Sequence, residues 1–212
     1  QGKAGDLAGV PDDSDGAGMP LFSFVDENIF KKETFLAFIS LLDNYESDTG
    51  EPEIVTPEEE MENHRFLDSV IKTPTMKIAH KYLVEKRLSP EDTTGFKQQL
   101  YKIWFELYAR KGSSKLNKFV NFFMIIFSFH SLSQPDENKH MLALQFSWKN
   151  GIKPKGSIFI GVSPEFEFSL YTLCFLMSPN ERVKVSFNLY DVEIVCHHYN
   201  QKHIGTTYPV LV

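Results

Sequence analysis

The sequence predicts an α+β fold: a helical N-terminal lobe followed by an antiparallel β-rich lobe. Two observations carry this. Apolar residues recur at helical spacing through the first half of the chain, and from Leu142 onward the period switches to alternation. A composition of 42% hydrophobic and 24% charged residues is that of a globular chain, neither disordered nor fibrous, and 19 Phe provide for a substantial core. The 212 residues correspond to one domain with a tail.

Residues 1–19 are rich in Gly, Asp and Ala, with almost no large apolar side chain, and read as a disordered linker. The domain itself is expected over 20–212, with a helical lobe over about 20–114, an atypical apolar insert at 115–133 and a β-rich lobe over about 134–212. In the first lobe, Phe35, Phe38, Ile39 and Leu42 mark one helix face, and Asp48-Thr49-Gly50 supplies turn chemistry after it. Thr56-Pro57-Glu58-Glu59 starts the next helix, with an N-cap, a proline in the first turn and acids against the dipole. Phe66, Leu67, Val70 and Ile71 line its buried face. Met76, Ala79, Tyr82 and Leu83 continue the pattern after Thr73-Pro74. A further helix is expected through Phe96, Leu100, Ile103, Trp104, Leu107 and Tyr108. In the second lobe, Leu142, Leu144, Phe146 and Trp148 alternate as a half-buried strand, and Ile158, Ile160 and Val162 mark the next. Ser163-Pro164-Glu165 looks like a helix start. Val183, Val185 and Phe187, then Val192, Ile194 and Cys196, mark two more strands.

Charge is unevenly distributed. Residues 1–62 carry 16 acids and 3 bases, whereas residues 63–212 carry 12 acids and 19 bases. A basic body suits a polyanion such as RNA; scattered solvated lysines are the alternative, since the bases form no runs. The two cysteines, Cys174 and Cys196, lack finger spacing, which argues against structural zinc. They read either as one disulfide or as two buried thiols, and the apolar, strand-like run around each favours thiols. Gln1, not Met, opens the chain, which reads as a fragment or processed product without a visible signal peptide. The insert KLNKFVNFFMIIFSFHSLS (Lys115–Ser133) contains no acid. Its apolar run from Phe119 to Leu132 is short of the roughly 20 residues a membrane crossing needs, so it is read as a buried core element or an intruder, not an anchor.

Several blocks resemble the EndoU family of poly(U)-specific endoribonucleases. They are LFSFVDENIF (Leu21–Phe30) with FLAFISLLDNY (Phe35–Tyr45), FLDSVIKTPTMKIAHKYLVEK (Phe66–Lys86), FKQQLYKIWFELYAR (Phe96–Arg110) with Ser113-Ser114 after it, LALQFSWKNGIKPKGSIFIGVSPEFEFSLYTLCFLM (Leu142–Met177), and HIGTTYPV (His203–Val210). The resemblance implies an α+β fold and a uridylate-specific endoribonuclease that cleaves single-stranded RNA by transphosphorylation, leaving a 2′,3′-cyclic phosphate. It also implies manganese, a secreted setting and a monomer. In the family, the block ending Ser-Ser leads into GFEHVFVGE-like and GFHNW-like motifs, each with a catalytic His, and then a DYKGY-like motif with a catalytic Lys. Here Ser114 runs instead into Lys115 and the apolar stretch, and family-like sequence returns at Gln134-Pro135-Asp136-Glu137-Asn138. All three motifs are absent, so no catalytic residue is assigned.

The chemistry needs a base for the ribose 2′-OH, an acid for the departing 5′-oxygen and a cation for the phosphorane charge. Seven histidines remain: His64, His80, His130, His140, His197, His198 and His203. His197 and His198 are adjacent on an expected strand and point to opposite faces, so they cannot form a facing pair. His64 and His80 read as solvated helix positions. His130 matches no family motif, and His140 and His203 have no identifiable partner. The family's uracil-reading corner does survive in Thr206-Thr207-Tyr208-Pro209. Carried over by motif, Thr206 contacts the uracil edge and Tyr208 faces the base; without the resemblance, Tyr208 would simply pack a strand end. Ser163-Pro164-Glu165-Phe166 and Trp148 read as structural. Metal ligands are not identifiable. Two alternatives to an active enzyme follow: a catalytically inactive RNA-binding form, or a truncated or mis-spliced product.

Overall fold

Local capping signals set the helix starts. In the computed structural model, which describes residues 24–44, 54–109, 116–117, 141–148, 151–178, 182–187, 190–200 and 202–211, each of three consecutive helices begins at a polar cap. Helix α2 (Pro57–Ile71) opens with a full capping box: Thr56 Oγ1 accepts from the Glu59 N–H at 3.2 Å, and Glu59 Oε2 accepts from the Thr56 N–H at 2.9 Å. Helix α3 (Pro74–Glu85) starts at Thr73, which accepts from the Met76 N–H at 3.2 Å. Helix α4 (Thr93–Trp104) starts at Asp92, which accepts from the Gly95 N–H at 2.7 Å. Before them lie a 3₁₀ turn (Glu27–Lys31) and the short helix α1 (Glu33–Ile39). The expected linker, the Asp48-Thr49-Gly50 turn and all of the insert but Leu116 and Asn117 lie outside the described residues, as do His130 and His140.

Helix α5 (Pro164–Met177) is the hinge of the architecture. One side packs on α1 and α3 and another on the sheet. That sheet has the order β5 (Arg182–Phe187), β6 (Tyr190–Tyr199), β7 (His203–Leu211), all antiparallel. Two smaller antiparallel pairs join β1 (Tyr108–Ala109) to β2 (Leu116–Asn117), and β3 (Met141–Trp148) to β4 (Gly151–Phe159). The core runs from Phe38, Phe66, Leu67, Met76, Leu83, Phe96 and Leu100 through Phe168, Tyr171 and Phe175 to Val192, Ile194 and Ile204. Trp104 ties α4 to α5: its Nε1–H donates to Thr172 Oγ1 at 3.1 Å, and its ring stacks on Phe168 with centroids 4.5 Å apart. The expected order of helices first and strands later is the observed one.

Four expectations are corrected. Tyr82, expected on the buried face of α3, is 39% exposed, with the Lys86 ammonium 5.3 Å above its ring; Met76, Ala79 and Leu83 fill that face without it. Leu107 and Tyr108 do not extend α4. The helix stops at Trp104, and Phe105 leaves helical geometry at φ −121°, which releases Tyr108 into β1. The strand expected through Ile158, Ile160 and Val162 ends at Phe159, so Ile160 and Val162 lie past β4, and at its described end Phe159 is buried while Ile158 is half-buried. Cys174 lies on a helix, not in a strand-like run. The apolar segment Phe168–Met177 is α5, buried so widely that its pattern lacks helical contrast.

Candidate functional site

The antiparallel register between β6 and β7 decides what shares a face. Val195 lies opposite Tyr208, Cys196 opposite Thr207 and His197 opposite Thr206. Paired residues point the same way and successive residues point oppositely. Ile194, Cys196, Thr207 and Pro209 therefore face α5 and are buried. Val195, His197, Thr206 and Tyr208 form the outer face, with Thr206 and Tyr208 half-buried and His197 exposed. The structure thus places Thr206 and Tyr208 side by side, two residues or ~7 Å apart along one strand. Val195, opposite Tyr208 on β6, is only 5% exposed. Across the sheet, Arg182 pairs with Glu193 at 3.1 Å on the same face.

The register shifts after His197: His198 lies opposite Ile204, and Gly205 is left as the extra residue of a β-bulge. Only glycine fits there easily, because a Cβ would stand 3.2 Å from the His197 carbonyl oxygen. The two adjacent histidines part as expected. His198 turns inward and stacks on Phe175, with centroids 4.0 Å apart, and this burial pushes its pKa below the usual imidazole value. Past the bulge, Tyr199 and His203 continue the outer face.

His203 does have partners, which corrects the expectation. It is 8% exposed, its Nδ1 lies 2.9 Å from the Lys102 carbonyl oxygen, and its Nε2 lies 3.8 Å from Glu106 Oε2. Tyr108 stacks on both Tyr199 (4.6 Å) and His203 (5.1 Å), and its hydroxyl donates to the Ile204 carbonyl at 3.2 Å. Sequence reasoning missed this aromatic set, because its members are some 90 to 100 positions apart. The alternation of β6 and β7 could have placed Tyr199 and His203 beside Thr206 once the bulge was known.

The remaining histidines do not join the face. His64 is exposed on α2 and stacks on Tyr101 at 5.0 Å. His80, expected to be solvated, is half-buried: it stacks on Phe96 at 3.8 Å, and its Nε2 lies 2.7 Å from the Pro90 carbonyl oxygen, so it clamps α3 to the segment before α4. Both cysteines are free and buried, and burial pushes each thiol up to about 12. On α5, burial pushes the Glu167 carboxyl up to about 7, against the Tyr171 hydroxyl that donates to it at 3.1 Å. Among the described residues, no group of three or more His, Cys, Asp or Glu side chains is placed to hold a metal ion, so manganese finds no ligand set there. No described helix is long and apolar enough to cross a membrane.

This arrangement of helical lobe and sheet is shared with a solved endoribonuclease. The structure of XendoU, described as a splicing-independent snoRNA-processing endoribonuclease, superposes with a TM-score of 0.75 at 42% sequence identity, covering 91% of this chain and 84% of that one. The family model for endoribonuclease XendoU matches residues 2–127 and 120–209. The chain belongs to that family. It is 81% identical to uridylate-specific endoribonuclease B of Danio rerio, over all of this chain and 86% of the relative, and 44% identical to poly(U)-specific endoribonuclease-A of Xenopus laevis, over all of this chain and 85% of the relative.

The same comparisons carry a discontinuity. The family match comes in two segments that meet at 120–127, inside the apolar insert. The alignment with the Danio rerio relative spans 244 positions against the 212 residues of this chain, so 32 positions of the relative have no residue opposite them.

Proposed function

We propose that this domain carries its family's function, recognition and cleavage of single-stranded RNA at uridylates. The observation that supports it best is the outer face of β7, which keeps Thr206 and Tyr208 adjacent, with Thr206 beside exposed His197. On this reading, the Thr206 hydroxyl hydrogen-bonds the edge of uracil and the Tyr208 ring packs against the base. Cleavage forms a bond from the ribose 2′-oxygen to phosphorus and breaks the bond from phosphorus to the 5′-oxygen. The 2′-OH proton passes to a base, and an acid returns one to the leaving oxygen. The products are a 2′,3′-cyclic phosphate and a 5′-hydroxyl.

A second reading applies to the chain as it stands, and the split family match favours it: the chain binds uridine-containing RNA through the sheet face and does not cut it. The described histidines offer no facing acid and base, since His198 is packed inward, His64 and His80 belong to the helical lobe, and His203, on the same face as exposed His197, is buried against Lys102 and Glu106. Truncation or mis-splicing around residue 115 is the corresponding origin, and a transcript encoding the missing His motifs would identify it.

One experiment separates the two readings. The chain is incubated with a uridine-containing oligonucleotide, with and without the Mn²⁺ that the resemblance brings, and the ends are analysed. A 2′,3′-cyclic phosphate end supports cleavage. Binding of oligo(U) at low salt without new ends supports the binding form, because phosphate-dominated affinity strengthens as salt falls. Neither ends nor binding would sink both. Secretion and a monomeric state belong to this proposal and are read from a culture medium and a sizing column.

A further inference from the structure

The outer face of β6 and β7 does not end at Thr206. Beyond the Gly205 bulge the next pair on that face is Tyr199 and His203, one strand repeat of two residues, ~7 Å, further along. Tyr199 is half-buried, neither exposed like His197 nor closed off like His203, and stacks on Tyr108 at 4.6 Å. Tyr108 is held in place by its hydrogen bond to the Ile204 carbonyl and by its second stack on His203, so the platform under Tyr199 is fixed from the helical lobe. His197 is exposed between the two positions, opposite Thr206. Lys202 is exposed on the turn that joins the strands; Asn200 takes the left-handed conformation there at φ 51°, and the Lys202 N–H donates to the Tyr199 carbonyl at 3.2 Å.

We infer that this stretch is a second nucleotide position: a base of single-stranded RNA stacks on Tyr199, and His197 donates to the phosphate that links it to the uridylate held at Thr206 and Tyr208. An aromatic ring backed by a second ring is a sequence-tolerant stacking surface, because every base has a π-face, and a nearby cation such as Lys202 follows the backbone. The position takes any nucleotide, in contrast to the corner beside it. The bulge serves this arrangement by restoring the alternation of β7 after Gly205, so that Ile204 turns inward beside His198 and His203 shares the outer face with Tyr199. The inference rests on the proposed reading of the Thr206–Tyr208 corner, and the test tells the two failures apart.

The test compares two ligands on the full chain at low salt: uridine 3′-monophosphate, which occupies one position, and a 2′-O-methylated diuridylate, which spans two and cannot be cleaved. Diuridylate is expected to bind about tenfold tighter than the mononucleotide. Tyr199→Ala should remove that advantage and leave mononucleotide affinity within about twofold, whereas Tyr199→Phe, which keeps the ring, should retain it. His197→Ala, at an exposed position that the fold does not need, should weaken diuridylate several-fold more than mononucleotide. Thr206→Ala should weaken both ligands. The proposal is overturned if the wild-type chain binds both ligands equally or not at all, or if Tyr199→Ala weakens both alike, which would mark Tyr199 as packing for Tyr108. If Thr206→Ala changes neither while the Tyr199 effects hold, the corner reading fails and the stacking position stands.

Discussion

Glu167 shows how a single buried group sets a pH response. Its carboxyl is raised to about 7 because burial disfavours the charged form. The folded chain therefore keeps the proton through a range in which the unfolded chain, with a glutamate pKa of about 4.3, has released it. Stability is fully present below about pH 4.3 and is lost as pH rises towards about 7, by about 3–4 kcal/mol. Urea unfolding at pH 5 and pH 8 should show this slope, and Glu167→Gln should flatten it while still accepting from Tyr171. The two thiols behave differently. With both pushed up to about 12, Cys174 and Cys196 hold almost no thiolate at pH 8. A colorimetric thiol reagent should find no fast-reacting cysteine in the folded chain and two after denaturation. That both are buried was legible from the apolar runs around them. That Cys174 sits on a helix was not, because α5 is apolar on nearly every side.

Helix starts were the most legible elements, since the signal is short and local. Thr56, Pro57 and Glu59 lie within four residues, and the structure closes both hydrogen bonds of the box. Thr56→Ala should cost about 1 kcal/mol, read as a shift of the urea midpoint with an unchanged slope. Helix ends were less legible. Nothing in IWFELY (Ile103–Tyr108) supplies the glycine or proline that usually stops a helix, and the stop at Trp104 follows from packing. Thr206 and Tyr208 could be placed on one face by strand alternation alone. Their neighbour His203 could not, because the bulge at Gly205 shifts the count on β7 by one.

At the scale of the whole molecule, Phe66 joins what the sequence separates. It is fully buried in α2, and its ring meets Phe38 of α1 at 6.0 Å, Phe105 just past α4 at 6.4 Å and Phe168 of α5 at 5.2 Å. Phe66→Ala should therefore destabilise the chain by about 3–5 kcal/mol, and calorimetry should show the helical lobe and the sheet losing structure together. The division into a helical and a β-rich lobe could be read from periodicity, but the way the lobes lock together could not. His203 reaches Lys102 and Tyr108 reaches Ile204 across 101 and 96 positions of sequence, with no motif at either end.

Those two long-range hydrogen bonds also govern the order of events during synthesis. At roughly 5–20 residues per second, the ribosome delivers Lys102 and Tyr108 some 5–20 s before the strand that receives them. Through that interval the aromatic ring of Tyr108 and the adjoining helical surface wait without their cover, in the company of whatever chaperone or neighbouring chain reaches them first.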